Sequence, residues 1–230
     1  RKAMKQLKHA MKPLTGLAVL LSLLALGACG EKPQQQQAAA PAESQVEKET
    51  IVWKLAQTWG TGFPIFGDAV INMADMVKEM SGGELEIRLD SANKHKAAFG
   101  ILDMVKAGQY EMGHSASYYW KGKDASTMFF STMPFGMIAP EQYAWFYYGD
   151  GMDLMKKVYE KHGVYSFPGG NTSNQMGGWF RKEINTLDDL QGLKMRIPGF
   201  AGEILSKLGV VVTNIAPGEL YTALDRGTID

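Results

Sequence analysis

From residue 51 onward, apolar positions follow two periodicities in turn. Every second residue is apolar across 51–55 and again across 85–89, which is the period of two that is typical of strands. Between these segments apolar residues recur at helical spacing over 66–80, and Gly82 then favours the end of a helix. This order of periodicities predicts a strand, a helix and a second strand.

The same alternation continues to the end of the chain. It predicts these elements: a helix over 98–105 closed by Gly108, a strand over 110–114, a helix opened by Pro140, a helix ended by Gly163, strands near Val164 and Gln175, a strand over 195–197, a helix over 201–208, a strand over 210–213, and a helix opened by Pro217 and closed by Gly227. Alternating strands and helices predict an α/β protein with a mainly parallel sheet.

Two segments repeat one unit, a helix that ends on glycine and leads directly into a strand. They read LDMVKAGQYEMG and YTALDRGTID, and the second reaches the last residue, Asp230. The repetition indicates two similar lobes. Because the chain stops within the second unit's strand and does not begin with Met, we expect it to be part of a longer protein whose fold is C-terminally incomplete here.

The first 29 residues have the pattern of an export signal. A basic start is followed by an apolar run over 14–28, shorter than the ~20 residues that span a bilayer. Cys29 follows Leu-Gly-Ala, which resembles the lipobox of bacterial lipoproteins, although a free cysteine in a signal cleaved nearby is the alternative. We expect a lipoprotein signal peptide over 1–29, lipidation of Cys29, a disordered linker over 30–50 that is rich in Gln, Ala, Pro and Glu, and folded sequence from Ile51.

Composition excludes some classes of function. The formal net charge is +0, which removes the electrostatic argument for a nucleic-acid partner. Cys29 is the only cysteine, so the folded part has no intramolecular disulfide and must depend on its apolar core.

Several local motifs resemble nucleotide-binding, nucleophile or metal-ligand patterns but lack a residue or a spacing that those patterns require. In WGTGFPIFG, Ile65 occupies the third glycine position of a dinucleotide motif, and the phosphate-loop lysine is absent. We therefore expect a flexible strand–helix loop that could line a cleft. GHSAS lacks the final glycine of a nucleophile elbow, and the adjacency of His114 and Ser115 does not place them for proton transfer. The four histidines have no metal-ligand spacing, and we expect His95 on a solvated basic face.

Arg196 is the strongest candidate for a binding residue. It ends the strand of GLKMRIPG, because Pro198 does not continue a strand. Ligands of open α/β sheets bind beyond the carboxyl ends of strands, where a planar guanidinium can hold a carboxylate in a bidentate pair. The alternative is a surface ion pair with Asp188, Asp189 or Glu203. The aromatic segments between 118 and 148 favour core packing, with Tyr118 and Tyr119 as the exceptions expected to reach a ligand.

The chain resembles a known family over residues 51–230. GNTSNQMGGWF, INTLDDLQGLKMRIPGFAGEILSKLGV and PGELYTALDRGTID are similar to the extracytoplasmic solute receptors of TRAP transporters, the DctP-like family. EMGHSASYYWKGK and FFSTMPFGM are similar to its 2-oxo acid, or pyruvate-type, branch. The resemblance implies a two-lobed periplasmic solute-binding-protein fold with a ligand cleft between a first lobe over 51–173 and a second over 174–230.

It also implies a function without catalysis. Such receptors bind small organic acid anions and deliver them to a sodium-driven membrane permease, outside the cytoplasm and here tethered by a lipid anchor. By resemblance Arg196 holds the substrate carboxylate and Gln175 lies at the substrate and metal site, where a sodium ion binds together with the carboxylate. Further metal ligands are implied just after RGTID. The alternative is an exported lyase or hydrolase of small carboxylic acids, with no other cofactor.

Overall fold

The computed structural model describes residues 49–230, and Cys29 and the predicted signal and most of the linker lie outside them. The strands in this part are β1 Ile51–Gln57, β2 Leu85–Asp90, β3 Met112–His114, β4 Lys194–Arg196 and β5 Val211–Thr213. The α-helices are α1 Phe66–Met80, α2 Ala92–His95, α3 Ile101–Lys106, α4 Ala139–Tyr148, α5 Gly151–Glu160, α6 Gly199–Lys207 and α7 Leu220–Asp225. Short 3-10 helices cover Ser117–Trp120, Ala125–Phe130, Leu187–Leu190 and Pro217–Glu219.

The first three strands form a parallel sheet in the order β2-β1-β3. Parallel neighbours require crossover connections, and α1 and α3 supply them. The central strand is buried at its carboxyl end, where Ala56 and Gln57 are both 0% exposed. The expected mainly parallel α/β arrangement is confirmed for the described residues.

Each face of this sheet has its own apolar cluster. On one face α1 packs Val70 and Ala74 against Leu55 and Ile87. The other cluster combines residues of β1, α3 and the aromatic segment: Ala56, Ile101, Leu102, Trp120, Phe146, Met155 and Tyr159. The prediction that most aromatic residues serve packing holds for Trp120 and Phe146, but Tyr148 is 93% exposed.

A second, two-stranded parallel sheet pairs β4 with β5 through the crossover helix α6. Arg196 is the last residue of β4 and pairs with Thr213, so its predicted place at a strand's carboxyl end is confirmed. The helix begins directly afterwards because Gly199 adopts a left-handed φ of 67°, which only glycine adopts at low cost. The lobe boundary at residue 173 stays a prediction.

Two expectations about local structure are wrong, and the expected helix opened by Pro217 is confirmed with a 3-10 first turn. Residues near Val164 and Gln175 form no strand, since no strand within 49–230 lies beside them to accept their backbone hydrogen bonds. Pro217 opens a 3-10 helix that becomes α7 only at Leu220. His95 is half-buried rather than on a fully solvated face. Because α2 is a single turn packed on the end of β1, its Nε2 donates to the Gln57 carbonyl at 3.0 Å and its Nδ1 accepts from the Ala97 N–H at 3.1 Å.

Candidate functional site

Two hydrogen bonds fix the Arg196 side chain. Its Nε donates to the Ile215 carbonyl at 3.0 Å, and Nη2 donates to the Tyr119 hydroxyl at 2.9 Å. The side chain is half-buried. These two hydrogen bonds use Nε–H and one of the two Nη2 N–H groups, which lie along the same edge of the guanidinium. The two Nη1 N–H groups and the other Nη2 N–H group point away from that edge. The guanidinium therefore has a defined orientation and an open end.

The charge of Arg196 is not balanced by a nearby carboxylate. Within residues 49–230 no Asp or Glu forms an ion pair with it. The alternative partners are engaged elsewhere or form no such pair: Asp189 accepts from the Thr186 N–H at 2.8 Å, and Glu203 pairs with Lys121. A half-buried, oriented cation without a carboxylate favours binding of an external anion.

Tyr118 and Tyr119 occupy the 3-10 helix after β3 and meet in a T-shaped contact, with ring centroids 4.6 Å apart. The Tyr119 ring also lies 4.6 Å from the Phe99 ring, so two ring contacts hold its hydroxyl next to Arg196, which donates to it. Tyr118 packs against the helix start at Gly199, and burial raises the pKa of its hydroxyl. The structure thus joins three of the predicted site residues, Arg196, Tyr118 and Tyr119.

Gln175 is not joined to that cluster. It is exposed on an irregular segment, and its Nε2 donates to the Thr172 hydroxyl at 3.1 Å. No hydrogen bond links it to Arg196 in the part of the chain that the structure describes. Its amide oxygen remains available, and oxygen is the ligand type that hard cations take.

The described residues do not gather a metal site by themselves. Across 49–230 no group of three or more His, Cys, Asp or Glu side chains is placed to hold an ion. One amide oxygen on Gln175 fits a cation only if other oxygens join it. A substrate carboxylate is one such source, so the residues present fit part of a shared site.

The loop between β1 and α1 packs at the carboxyl end of the three-stranded sheet, where Trp59 contacts His114 of β3. The Trp59 and Phe66 rings stack at 4.1 Å with 3° between their planes. Ile65 has a φ of 66°, and Gly67 approaches the Thr61 carbonyl so closely that a Cβ would lie 2.5 Å from it. These constraints make the loop tightly packed, whereas the sequence predicts a flexible one; the segment forms a strand–helix connection, as expected.

Sequence reasoning missed a polar group beneath this loop. Gln57 and Thr58 are 0% and 1% exposed, and His114 lies beside Trp59 with ring centroids 5.0 Å apart. Burial lowers the pKa of His114 to about 4. A usable signal existed, because Gln57 and His114 end neighbouring parallel strands, where ligands of α/β sheets bind.

The hydrolase alternative gains no support from this geometry. Ser115 Oγ lies 2.6 Å from the Thr58 hydroxyl rather than against an imidazole nitrogen. The His114 Nδ1 has no hydrogen-bond partner among the described residues. A serine nucleophile needs a base within hydrogen-bond reach, and His114 does not supply one to Ser115.

A separate cavity lies elsewhere in the described part of the chain. It measures about 470 Å³ and is lined mainly by apolar side chains, including Phe129, Met133 and Trp145. None of the Arg196 cluster contributes to its wall. Because it offers no cation to an anion, we place the candidate site at Arg196 instead.

Comparison with known proteins identifies the class to which this arrangement belongs. Residues 55–230 match the family model DctP, described as bacterial extracellular solute-binding protein, family 7. The chain belongs to this family of solute-binding transport components.

Individual relatives refine the comparison. The chain is 43% identical over 180 residues to a monocarboxylate 2-oxoacid-binding periplasmic protein of Nostoc sp., a match covering 78% of this chain and 49% of the relative. It is 72% identical, with a TM-score of 0.77, to a TRAP periplasmic solute-binding protein from Pseudoalteromonas atlantica with bound sodium and pyruvate, covering 79% of this chain and 55% of that one.

A Colwellia psychrerythraea TRAP solute-binding protein with bound calcium and pyruvate is similar to the same degree, at 72% identity and a TM-score of 0.77 over 79% of this chain and 56% of that one. The chain thus spans about half the length of these relatives. Their shared architecture confirms the expected periplasmic-binding-protein fold for the part present. No helix within residues 49–230 is long and apolar enough to cross a membrane.

Proposed function

We propose that the protein is the extracytoplasmic receptor of a TRAP transporter and captures 2-oxo monocarboxylates such as pyruvate for sodium-driven uptake. The observation that carries the proposal is the Arg196 guanidinium, which is oriented by Tyr119 and Ile215 and lacks a carboxylate partner within residues 49–230. The pyruvate bound by two relatives at 72% identity supports the choice of anion.

The carboxylate meets the open end of the guanidinium. One oxygen accepts from Nη1 and the other from the second Nη2 N–H, which forms a bidentate pair in a fixed plane. Tyr119 and Ile215 hold the opposite edge, so the arginine loses little side-chain entropy on binding. Tyr118 and Phe99 flank Tyr119 and give the site an apolar wall that suits a small organic chain.

A cation shares the carboxylate in this proposal. Gln175 contributes its amide oxygen, and bound sodium would offset negative charge that Arg196 leaves uncompensated. Two relatives with a bound metal ion, sodium in one and calcium in the other, also have bound pyruvate, which supports a cation bound along with the anion. The protein performs no catalysis and releases the anion to the membrane permease.

The location follows from the N-terminal sequence and the family. The protein functions outside the cytoplasmic membrane, in the periplasm or at the cell surface, and lipidated Cys29 tethers it to a bacterial membrane. Replacing Cys29 with serine in the expressed precursor should move the protein from the membrane fraction to the soluble one. Retention in the membrane fraction would refute the anchor.

Calorimetric titration of the natural full-length protein with pyruvate tests the binding function. Truncating one member of a buried charge pair costs ~2–5 kcal/mol, so Arg196→Ala should weaken binding roughly 30-fold to several thousand-fold. Arg196→Lys should also weaken it, because lysine keeps the charge but not the planar fork.

Arg88→Ala is the matched control, since Arg88 is an exposed arginine of β2. It should bind as the unaltered protein does. Undiminished affinity in Arg196→Ala would remove the clamp. Tight binding of a neutral sugar or a dicarboxylate in place of pyruvate would overturn the substrate class.

A further inference from the structure

Gln57 and His114 lie side by side at the carboxyl ends of β1 and β3. Their Cα atoms are partners in the parallel register, so both side chains project from the same face of the sheet. That face is covered by α1, because Leu55, two residues before Gln57, packs against Val70. The two polar side chains therefore lie between the sheet edge and the start of α1.

Gln57 is fully buried with its amide unpaired. The residue is 0% exposed, and neither Nε2 nor Oε1 has a hydrogen-bond partner within the described part of the chain. Its backbone carbonyl is satisfied by His95, so only the side chain is left over. Native proteins rarely leave buried amides unpaired, since each such group costs about 1–3 kcal/mol.

His114, the register partner of Gln57, carries a second buried atom that has no partner in residues 49–230. Its Nδ1 is buried and has no partner among residues 49–230. The ring contacts Trp59 and Phe66, with centroids 5.0 and 6.2 Å away, and its opposite edge faces Gly169. Burial lowers the pKa to about 4, so the imidazole is neutral at neutral pH.

We propose that Gln57 and His114 form a buried binding site for an uncharged oxygen group, supplied by ordered water or by the bound solute. The Gln57 Nε2 donates to that oxygen. Where water is the occupant, the Gln57 Oε1 and the His114 Nδ1 accept from its O–H groups, with a second water where one does not reach both ends of the amide. Where the carbonyl oxygen of a 2-oxo acid is the occupant, it only accepts, so neutral His114 donates from Nδ1–H in its other tautomer and a water serves the Gln57 Oε1. A charged group is disfavoured, because the surrounding walls are aromatic and uncharged.

Gln57→Met in the full-length protein separates a filled site from a dry one. Methionine matches glutamine in length but cannot form these hydrogen bonds. If the site is dry, removing an unpaired amide should leave the melting temperature unchanged or raise it. If water fills the site, Tm should fall by roughly 2–4 °C. If the solute supplies the oxygen, affinity for pyruvate should fall roughly three- to tenfold.

Gln109→Met is the control, because Gln109 is exposed and should change neither quantity. A lower Tm with unchanged affinity identifies water as the occupant, and a lower affinity identifies the solute. An unchanged or higher Tm together with unchanged affinity would overturn the proposal. Only the solute arm rests on the proposed function. If the unaltered protein does not bind pyruvate, the proposed receptor function is wrong. The change in Tm of Gln57→Met still tests whether the buried site is filled.

A second pair of variants covers the case in which Gln57→Met does not fold. His114→Asn retains a polar atom near the position of Nδ1 and should preserve most of the Tm, whereas His114→Leu should lower it. A high-resolution crystal structure of the unaltered protein should contain an oxygen atom within hydrogen-bond distance of Gln57 Nε2 and His114 Nδ1. Side chains that bond each other directly would refute the site.

Discussion

Arg196 and Tyr119 are 77 positions apart in the chain, yet one hydrogen bond of 2.9 Å joins them. The place of Arg196 was predictable from local sequence, since an apolar strand ending before Pro198 sets the position of its last residue. Its partner was not, because Tyr119 was selected as an aromatic surface for a ligand. Sequence spacing contains no information about which hydroxyl a guanidinium meets, and that contact depends on how β3 and β4 are placed in the fold.

Tyr119→Phe tests whether this hydroxyl orients the arginine. The substitution removes the acceptor of the Nη2 hydrogen bond but keeps the ring contacts with Phe99 and Tyr118. We expect pyruvate affinity to fall roughly three- to tenfold, the value of one ordinary hydrogen bond, with little change in Tm. Tyr148→Phe is the control, since Tyr148 is 93% exposed. Equal affinities for both variants and the unaltered protein would show that Tyr119 plays no orienting part.

His114 should make stability depend on pH. Burial holds its pKa near 4, below the 6.5 of a free histidine, so the unfolded chain binds a proton that the folded one excludes. Stability should be full above pH 6.5 and should fall as pH drops from 6.5 towards 4. At about 1.4 kcal/mol for each pKa unit, the loss approaches about 3 kcal/mol.

Urea unfolding of the full-length protein between pH 4.5 and 7 measures this effect. His114→Asn has no ionisable ring and should show a shallower decline over the same range. Carboxylates whose pKa is lowered, such as Asp124 and Asp189, act mainly below this window and remain in both proteins. Parallel declines in the two proteins would mean that His114 does not cause the pH dependence.

At the scale of elements, periodicity succeeded where the apolar pattern is long and failed where tertiary pairing decides. β1, α1 and β2 match their predicted spans closely, because each buries a face whose residues repeat at the period of the element. The segment around Val164 to Gln175 has β-compatible residues but no adjacent strand within residues 49–230, and it stays irregular. A strand is a property of a pair, which a single segment of sequence does not specify.

The turn between β4 and α6 should be sensitive to a single methyl group. Gly199 has a φ of 67°, and a Cβ there would lie 3.1 Å from the Tyr118 Cβ. Gly199→Ala should cost about 1–2 kcal/mol in backbone conformation and should also shift Tyr118, which contacts Tyr119. We expect a lower Tm and weaker pyruvate binding together.

Gly218→Ala is the control, since Gly218 has no positive φ and no atom lies within 4 Å of the position that its Cβ would take. It should leave both Tm and affinity near their original values. A Gly199→Ala protein that keeps its affinity despite a lower Tm would indicate that the turn supports the fold but not the orientation of the tyrosines.

At the scale of the whole molecule, the candidate site is assembled from widely separated parts of the chain. Arg196 and the two tyrosines form one described cluster, whereas Gln175 stands on an exposed segment without a contact to it in residues 49–230. The resemblance to the family placed both residues at one site, and the chain spans about half the length of the relatives it matches. Local physics explains the anion half of that site, and the cation half depends on oxygens that the described residues do not gather.

Sodium dependence of binding tests the cation half. Nε2 of Gln175 donates to Thr172, which leaves its oxygen free to ligate sodium beside the bound carboxylate. Replacing sodium with a large organic cation should therefore weaken pyruvate binding. Gln175→Ala should weaken it by roughly ten- to a hundredfold, the range seen when the support of a metal site is removed, and should abolish the sodium effect. Exposed Gln109, changed to alanine, is the control and should bind pyruvate with the original sodium dependence.

Calorimetric titration can also show whether Arg196 and the proposed sodium site at Gln175 act on the same carboxylate. If the carboxylate lies between Arg196 and sodium, both cations offset the free energy needed to desolvate it. The effects of Arg196 and of sodium on affinity should therefore be coupled. The Arg196→Ala, Gln175→Ala double variant should then lose less affinity than the two single losses combined. Calorimetry of the four proteins with and without sodium measures this coupling. Strict additivity would place the cation away from the carboxylate, and unchanged binding without sodium would leave Arg196 as the clamp while ending the metal role of Gln175.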